Sequence, residues 1–163
     1  PLFTHSITNG KLYLYKRDMD KLDNLIKRLQ NFDDNIETIA VQQAKQFEAE
    51  ILDMNTEDQL YNKGQDARGI SLGEYSPQYK KFKARINQPT NRVTLRLENE
   101  FQPAFFARFV GKFISIGSND DKAEFLEAGY GKDIYGLNDK NLQELINMLK
   151  PEMQNEFKRQ IVQ

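Results

Sequence analysis

Carboxylates are the residues in this chain best equipped for chemistry. Asp33-Asp34 and Asp120-Asp121 are adjacent pairs, and Glu124 and Glu127 follow closely on the second. Two convergent acids can share acid–base work or hold a hard metal ion. Here each pair stands where a helix is expected to begin, and the positive end of a helix dipole stabilises acids at that place. Capping by Asp and Asn therefore explains them without catalysis. Asn119-Asp120-Asp121 lacks the ligand spacing and the glycine of a calcium-binding loop. The glycines supply no phosphate cradle. Gly69-Ile70-Ser71-Leu72-Gly73 has no Gly-Lys-Ser/Thr ending, and Gly129-Tyr130-Gly131-Lys132 has no clear strand before it or helix directly after it. Turn formation accounts for both. His5 is the single histidine and cysteine is absent. That excludes thiolate zinc sites, disulfides, a cysteine nucleophile and a histidine-rich metal centre, and leaves a Ser-His-Asp triad only a near-terminal base. The expectation is a protein that is not an enzyme and carries no cofactor or metal.

Basic residues offer the other kind of chemistry. Lys80, Lys81, Lys83, Arg85, Arg92 and Arg96 lie close together, with Tyr75, Tyr79 and Phe82 among or beside them. Cations interleaved with aromatic rings can grip a phosphate backbone. They can equally form a solvated helix face, or a contact for an acidic neighbouring subunit. Lys and Arg number 23 against 24 Asp and Glu, a formal net charge of -1, so no whole-protein field steers the chain toward nucleic acid or membrane. A solvated face or a protein contact is the preferred reading over nucleic acid, with Lys80, Lys81, Lys83 and Arg85 as candidate partner or nucleic-acid contacts. Phe101, Phe105, Phe106, Phe109 and Phe113 could line a ligand pocket. Core packing is the commoner use of such a cluster, and some of these rings could be covered only when subunits join.

The elements that must position these residues follow from periodicity. The 163 residues fit one domain, 1–163, with a protruding loop and short basic helix at 65–90. Thr8-Asn9-Gly10 reads as a turn before a short strand at Leu12–Tyr15. Asp18 is placed to cap a first helix whose stripe is Leu22, Leu25, Ile26 and Leu29, ending at Asn31-Phe32-Asp33-Asp34. A second helix carries Ile36, Ile39, Ala40, Ala44, Phe47, Ile51 and Met54 on one face. Thr56 and Gln59 suggest a capping box, Leu60-Tyr61 a continuation, and Gly64 a stop. Ser76-Pro77 opens the basic helix. Arg92–Leu97 alternates like a strand with one buried face, and Phe105–Val110 with Phe113–Ile116 flank a Gly111-Lys112 hairpin turn of type II′. A short helix ends at Gly129. Asn138 caps a last helix whose apolar phase survives Pro151, which predicts a kink rather than a break. The fold class expected is α+β, a small antiparallel sheet packed against long N-terminal and C-terminal helices. No apolar run reaches the ~18 residues of a membrane span, and no signal peptide is expected at the N-terminus.

The order of these elements resembles the virion-morphogenesis proteins of long-tailed bacteriophages, a family of neck, head-closure and tail-completion proteins. The segments that carry the resemblance are Asp66-Ala67-Arg68-Gly69 to Leu72-Gly73-Glu74-Tyr75-Ser76-Pro77, then Tyr79-Lys80-Lys81-Phe82-Lys83, then Arg92-Val93-Thr94-Leu95-Arg96-Leu97-Glu98-Asn99-Glu100-Phe101. Ala123 to Gly129 is similar to the family's segment of alanine, aromatic, aliphatic and glutamate before glycine, and Gly136-Leu137-Asn138 opens a terminal helix as the family does. Glu98-Asn99-Glu100 stands where the family has a glycine turn. The resemblance implies a structural virion component that assembles in the host cytoplasm and works in the head–tail connection or in tail completion. It implies a homo-oligomeric ring, contact with neighbouring neck, portal or tail proteins, possible DNA contact in a channel, and no membrane. The alternative is a nucleic-acid-binding module using residues 79–96.

Overall fold

The computed structural model describes residues 7–8, 11–12, 16–96 and 101–161. His5, the Asn9-Gly10 turn, the Tyr13–Tyr15 part of the first strand and Leu97-Glu98-Asn99-Glu100 lie outside them. The chain groups into two compact units, residues 1–36 with 154–163, and residues 37–153.

In the first unit, strands β1 (Ile7–Thr8) and β2 (Lys11–Leu12) pair antiparallel, Ile7 opposite Leu12. Helix α1 runs Lys16–Ala44 without interruption. Asp18 is thus inside the helix and does not precede it, and Asn31–Asp34 does not end it. The polar run is tolerated because Asn31, Asp33 and Asp34 are exposed while Phe32 within it is buried, edge-on to Phe157 with ring centroids 5.2 Å apart. Asn35 Nδ2 donates back to the Asn31 carbonyl at 2.8 Å, a bond that keeps the turn helical. The apolar phase runs on through the polar stretch. Met19, Leu22, Ile26, Leu29 and Ile36 now belong to one helix and one face.

The second unit contains the hairpin. A 3-10 turn at Lys45–Phe47 ends α1, α2 follows at Glu48–Asp53, and the chain then widens into a π-helical segment, Met54–Lys63. The joint expected near Thr56 is this widening. Thr56 makes no capping box; its hydroxyl donates to the Leu52 carbonyl at 2.8 Å. The π geometry places two fully buried amides, Asn55 and Gln59, against the loop 134–138. Asn55 Nδ2 donates to the Ile134 carbonyl at 3.1 Å, and Gln59 Nε2 donates to the Gly136 carbonyl at 3.0 Å. The Asn138 N–H donates to Gln59 Oε1 at 2.7 Å. These side chains satisfy loop groups that would otherwise be buried without partners. Gly64 stops the segment in the left-handed region, φ 61°.

Helix α3 spans Pro77–Arg85, with the Ser76 hydroxyl accepting from the Tyr79 N–H at 3.3 Å. Strands β3 (Phe105–Val110) and β4 (Phe113–Ser118) pair antiparallel, Val110 opposite Phe113. Of the two turn residues only Gly111 has positive φ, 57°, as a type II′ turn requires. Helix α4 is Ala123–Tyr130, one residue beyond Gly129, and Gly131 at φ 86° follows it. Helix α5 is Asp139–Ile161, unbroken at Pro151, and the Asn141 N–H donates to Asn138 Oδ1 at 3.0 Å, the expected cap.

The hairpin packs on helices from both ends of the chain. Ala44, Ile51 and Leu145 form one buried cluster with Phe109, Ile114 and Ile116 against it. Leu60, Phe101, Phe105, Ala123 and Ile134 form another. Phe101 and Phe105 meet edge-to-face at 4.9 Å. The arrangement is α+β, as the periodicities predict, with phenylalanine in the core. The strand expected at Arg92–Leu97 does not form over its described residues. Arg92–Arg96 is irregular, with Leu95 at φ 53°, because its polar groups pair elsewhere. The Val93 N–H donates to the Gly73 carbonyl at 3.0 Å, and the Thr94 N–H to the Tyr75 hydroxyl at 2.9 Å. Gln102 Nε2 donates to the Thr94 carbonyl at 3.1 Å.

Candidate functional site

The basic segment is built on a fastened loop. Buried Asp66 accepts from the backbone N–H groups of Arg68 (2.9 Å) and Ile70 (2.8 Å), and from the Arg68 guanidinium at 2.9 Å. The Ala67 N–H donates to the Asp133 carbonyl at 2.7 Å, tying the loop to the turn after α4. From this base the chain enters α3, and helix phase sorts the four candidate cations. Lys83 turns inward and is 1% exposed; its ammonium donates to Gln88 Oε1 and to the Arg96 carbonyl. Lys80 pairs with Glu74, whose carboxyl is held below its usual range by the hydrogen bond and charge of that lysine. Lys81 and Arg85 are exposed, one turn apart, with no ion-pair partner among the described residues. Phe82 and Ile86 form a parallel exposed row beside them. Of the other two cations, Arg96 pairs with Glu57 and stacks on the Tyr61 ring at 4.0 Å, and Arg92 Nε donates to the Tyr61 carbonyl at 3.0 Å. The segment therefore presents a narrow face of two cations and two apolar side chains, not a six-cation patch.

Under α3 lies an apolar cavity of about 530 Å³, bordered by Tyr75, Tyr79, Phe101, Phe125, Leu126 and Tyr130. Burial pushes the Tyr79 and Tyr130 phenols up, and the neighbouring Tyr75 adds to both. These hydroxyls are neutral hydrogen-bonding groups near pH 7 and not nucleophiles.

A second groove of about 460 Å³ is acidic. Glu50 and Asp53 of α2, Glu57 and Asp58 of the π-helical segment and Glu144 of α5 border it, against one lysine, Lys140. Burial would raise Asp58, but hydrogen bonds from Lys63 and Asn141 and the charges of Lys63 and Lys140 outweigh it and hold the carboxyl low. Lys63 reaches it at 2.5 Å. Glu50, Asp53 and Glu144 have no ion-pair partner among the described residues. Asn141, 1% exposed, borders the same groove. Its Nδ2 donates to the Met54 carbonyl at 2.9 Å, which fixes the amide's orientation, and its buried Oδ1 has no hydrogen-bond partner.

The paired acids lie in separate places in the fold. Asp33 and Asp34 lie in the middle of α1, not at a helix start as expected. Asp120 Oδ1 accepts from the Lys122 N–H at 2.7 Å, shaping the turn into α4. Among the described residues no group of three or more His, Asp or Glu side chains is arranged to hold a metal ion. The acidic groove is not evident in the sequence because its acids come from two stretches about ninety residues apart; the run Glu48–Asp58, with acids at 48, 50, 53, 57 and 58, was the available signal. No helix among the described residues is long and apolar enough to cross a membrane. Comparison with known proteins finds no family model, no curated protein and no solved structure that matches the chain.

Proposed function

We propose that this chain is a non-enzymatic structural subunit of a tailed-phage particle, acting at the head–tail connection or in tail completion by assembling into a ring with copies of itself and with adjacent connector or tail proteins. The observation that carries the assembly reading is the face of α1 bearing Met19, Leu22, Ile26, Leu29 and Ile36. Their positions advance by three, four, three and seven, and each side chain is between 40% and 43% exposed. Apolar residues at that spacing form the seam that a neighbouring helix covers. Fully covering such a side chain stabilises by about 1.5–3 kcal/mol relative to leaving it in water. In the other unit, Val110 and Phe113 at the hairpin tip and Phe125 on α4, exposed by 69%, 76% and 79%, are separate apolar side chains left for partners. The phage setting rests on the resemblance in element order.

Sedimentation of the purified chain tests the assembly reading. Wild type should form multimers, and Ile26→Asp combined with Leu29→Asp should shift it to monomer with an unchanged circular dichroism spectrum. Mass spectrometry of purified particles should find the chain among the virion proteins. A wild-type chain that stays monomeric at high concentration and is missing from particles overturns the proposal. Nucleic-acid binding is the second reading, favoured by Lys81 and Arg85 beside Tyr79 and Phe82. With Lys83 buried and Lys80 paired, fewer cations remain for phosphates than the sequence suggests. Anisotropy of a labelled oligonucleotide at low salt separates the two readings.

A further inference from the structure

We infer that the exposed face of α3 in one copy docks into the acidic groove between the π-helical segment and α5 of the next copy. The inference rests on the self-assembly reading and adds which surfaces meet. Both surfaces lie in the unit of residues 37–153, so each copy offers one donor face and one acceptor groove. Two different surfaces meeting in this way make a head-to-tail contact, which propagates to a closed ring or an open filament.

Charge complementarity selects the occupant. The groove's acids outnumber its single lysine, and Glu50, Asp53 and Glu144 have no ion-pair partner among the described residues. Lys81 and Arg85 are the matching unpaired cations. The chain as a whole is close to neutral, so these patches are a separation of charge within it, not an excess of one sign. Copies therefore repel little overall and attract through opposite patches. Shape agrees with charge. Lys81 and Arg85 form one row on α3, and Phe82 and Ile86 form the adjacent exposed row, so a docked helix brings apolar surface to bury along with its cations. The third observation is independent of the acids. Asn141 Oδ1 is a buried acceptor with no donor, and a buried polar atom without a partner costs stability until one arrives. Arg85 and Lys81 carry only donors, and one of them reaches this atom as the groove wall opens on docking. The loop beneath α3 is fastened through Asp66 and Lys83, so the docking face is preformed and little ordering opposes association.

Charge reversal on each surface tests this. One variant carries Glu50→Lys, Asp53→Lys and Glu144→Lys; the other carries Lys81→Glu and Arg85→Glu. All five positions are exposed, and matching circular dichroism spectra and thermal melts establish that both variants fold. At about 0.15 M salt each variant alone should associate at least about tenfold more weakly than wild type. An equimolar mixture should recover association to within about threefold of wild type, because each groove then meets a face of opposite charge. A wild-type chain that is monomeric throughout overturns this inference together with the assembly reading. Wild-type assembly that neither reversal weakens overturns the docking alone. Reversals that leave self-association intact but abolish incorporation into particles assign the groove to a different, basic partner and equally overturn it.

Discussion

Lys83 shows how one residue can leave a predicted site and enter the framework. Nothing in the run Lys80-Lys81-Phe82-Lys83 distinguishes it from its neighbours, but the helix turns it against the irregular stretch 92–96. There its ammonium is held by two oxygens and lies 5.2 Å from the Tyr75 ring centroid and 5.8 Å from that of Tyr79. Aromatic faces and carbonyl dipoles here replace the carboxylate that usually meets a buried cation. Lys83→Ala would remove both hydrogen bonds and empty the space, and is expected to lower unfolding free energy by about 2–4 kcal/mol. Lys81→Ala, on the exposed face, should stay within about 0.5 kcal/mol of wild type. Urea titrations of the two variants decide this, and equal effects would contradict the inward placement. Which of four adjacent cations is internal depends on where the Arg96 carbonyl and Gln88 end up, and that is tertiary information.

At the scale of elements, glycines with similar backbone angles serve different purposes. Gly64 (φ 61°) ends the π-helical segment where a Cβ would sit 2.6 Å from the Val93 carbonyl oxygen, whereas a Cβ on Gly69 (φ 73°) would meet nothing within 4 Å. Gly69→Ala should therefore cost only the left-handed strain, about 1–2 kcal/mol, and Gly64→Ala clearly more, because backbone must also move. Denaturation midpoints compared at equal slope measure the difference. Not every end was legible, since Asp18 and Thr56 lie inside helical segments, but Ser76, Asn138, Gly64 and Gly111 were: they act locally, through one hydroxyl, one amide or one φ value. Interiors were less so. The polar run Asn31–Asp34 imitates a helix break, yet only Phe32 within it has to be buried. Arg92–Leu97 imitates a strand, but the Tyr75 hydroxyl and the Gln102 amide take hydrogen bonds that a neighbouring strand would have made. The π-helical segment left only a faint trace, two amides four residues apart in an otherwise apolar phase, Asn55 and Gln59. The candidate surfaces were half legible, since the cations are contiguous and the acids opposing them are not.

For the whole molecule, association should respond to salt in two ways. Raising sodium chloride from about 0.1 to 1 M shortens the screening length from about 10 to 3 Å and should weaken a contact between charged patches. Ammonium sulfate at matched ionic strength should weaken it less, because excluded salts strengthen apolar burial along the α1 stripe. Sedimentation in the two salts measures the gap, and an indifferent response to chloride would mean that charge plays no part in assembly. The widened turn at Met54–Lys63 bears on how such a surface could change over time. It holds more residues per turn than an ordinary helix, so the loss of a single one would be absorbed by a return to regular spacing, with the chain beyond Gly64 aimed much as before. What a one-residue deletion there would forfeit is the register of Asn55 and Gln59 against the loop 134–138, so it should loosen that wall of the acidic groove while α3 keeps its direction.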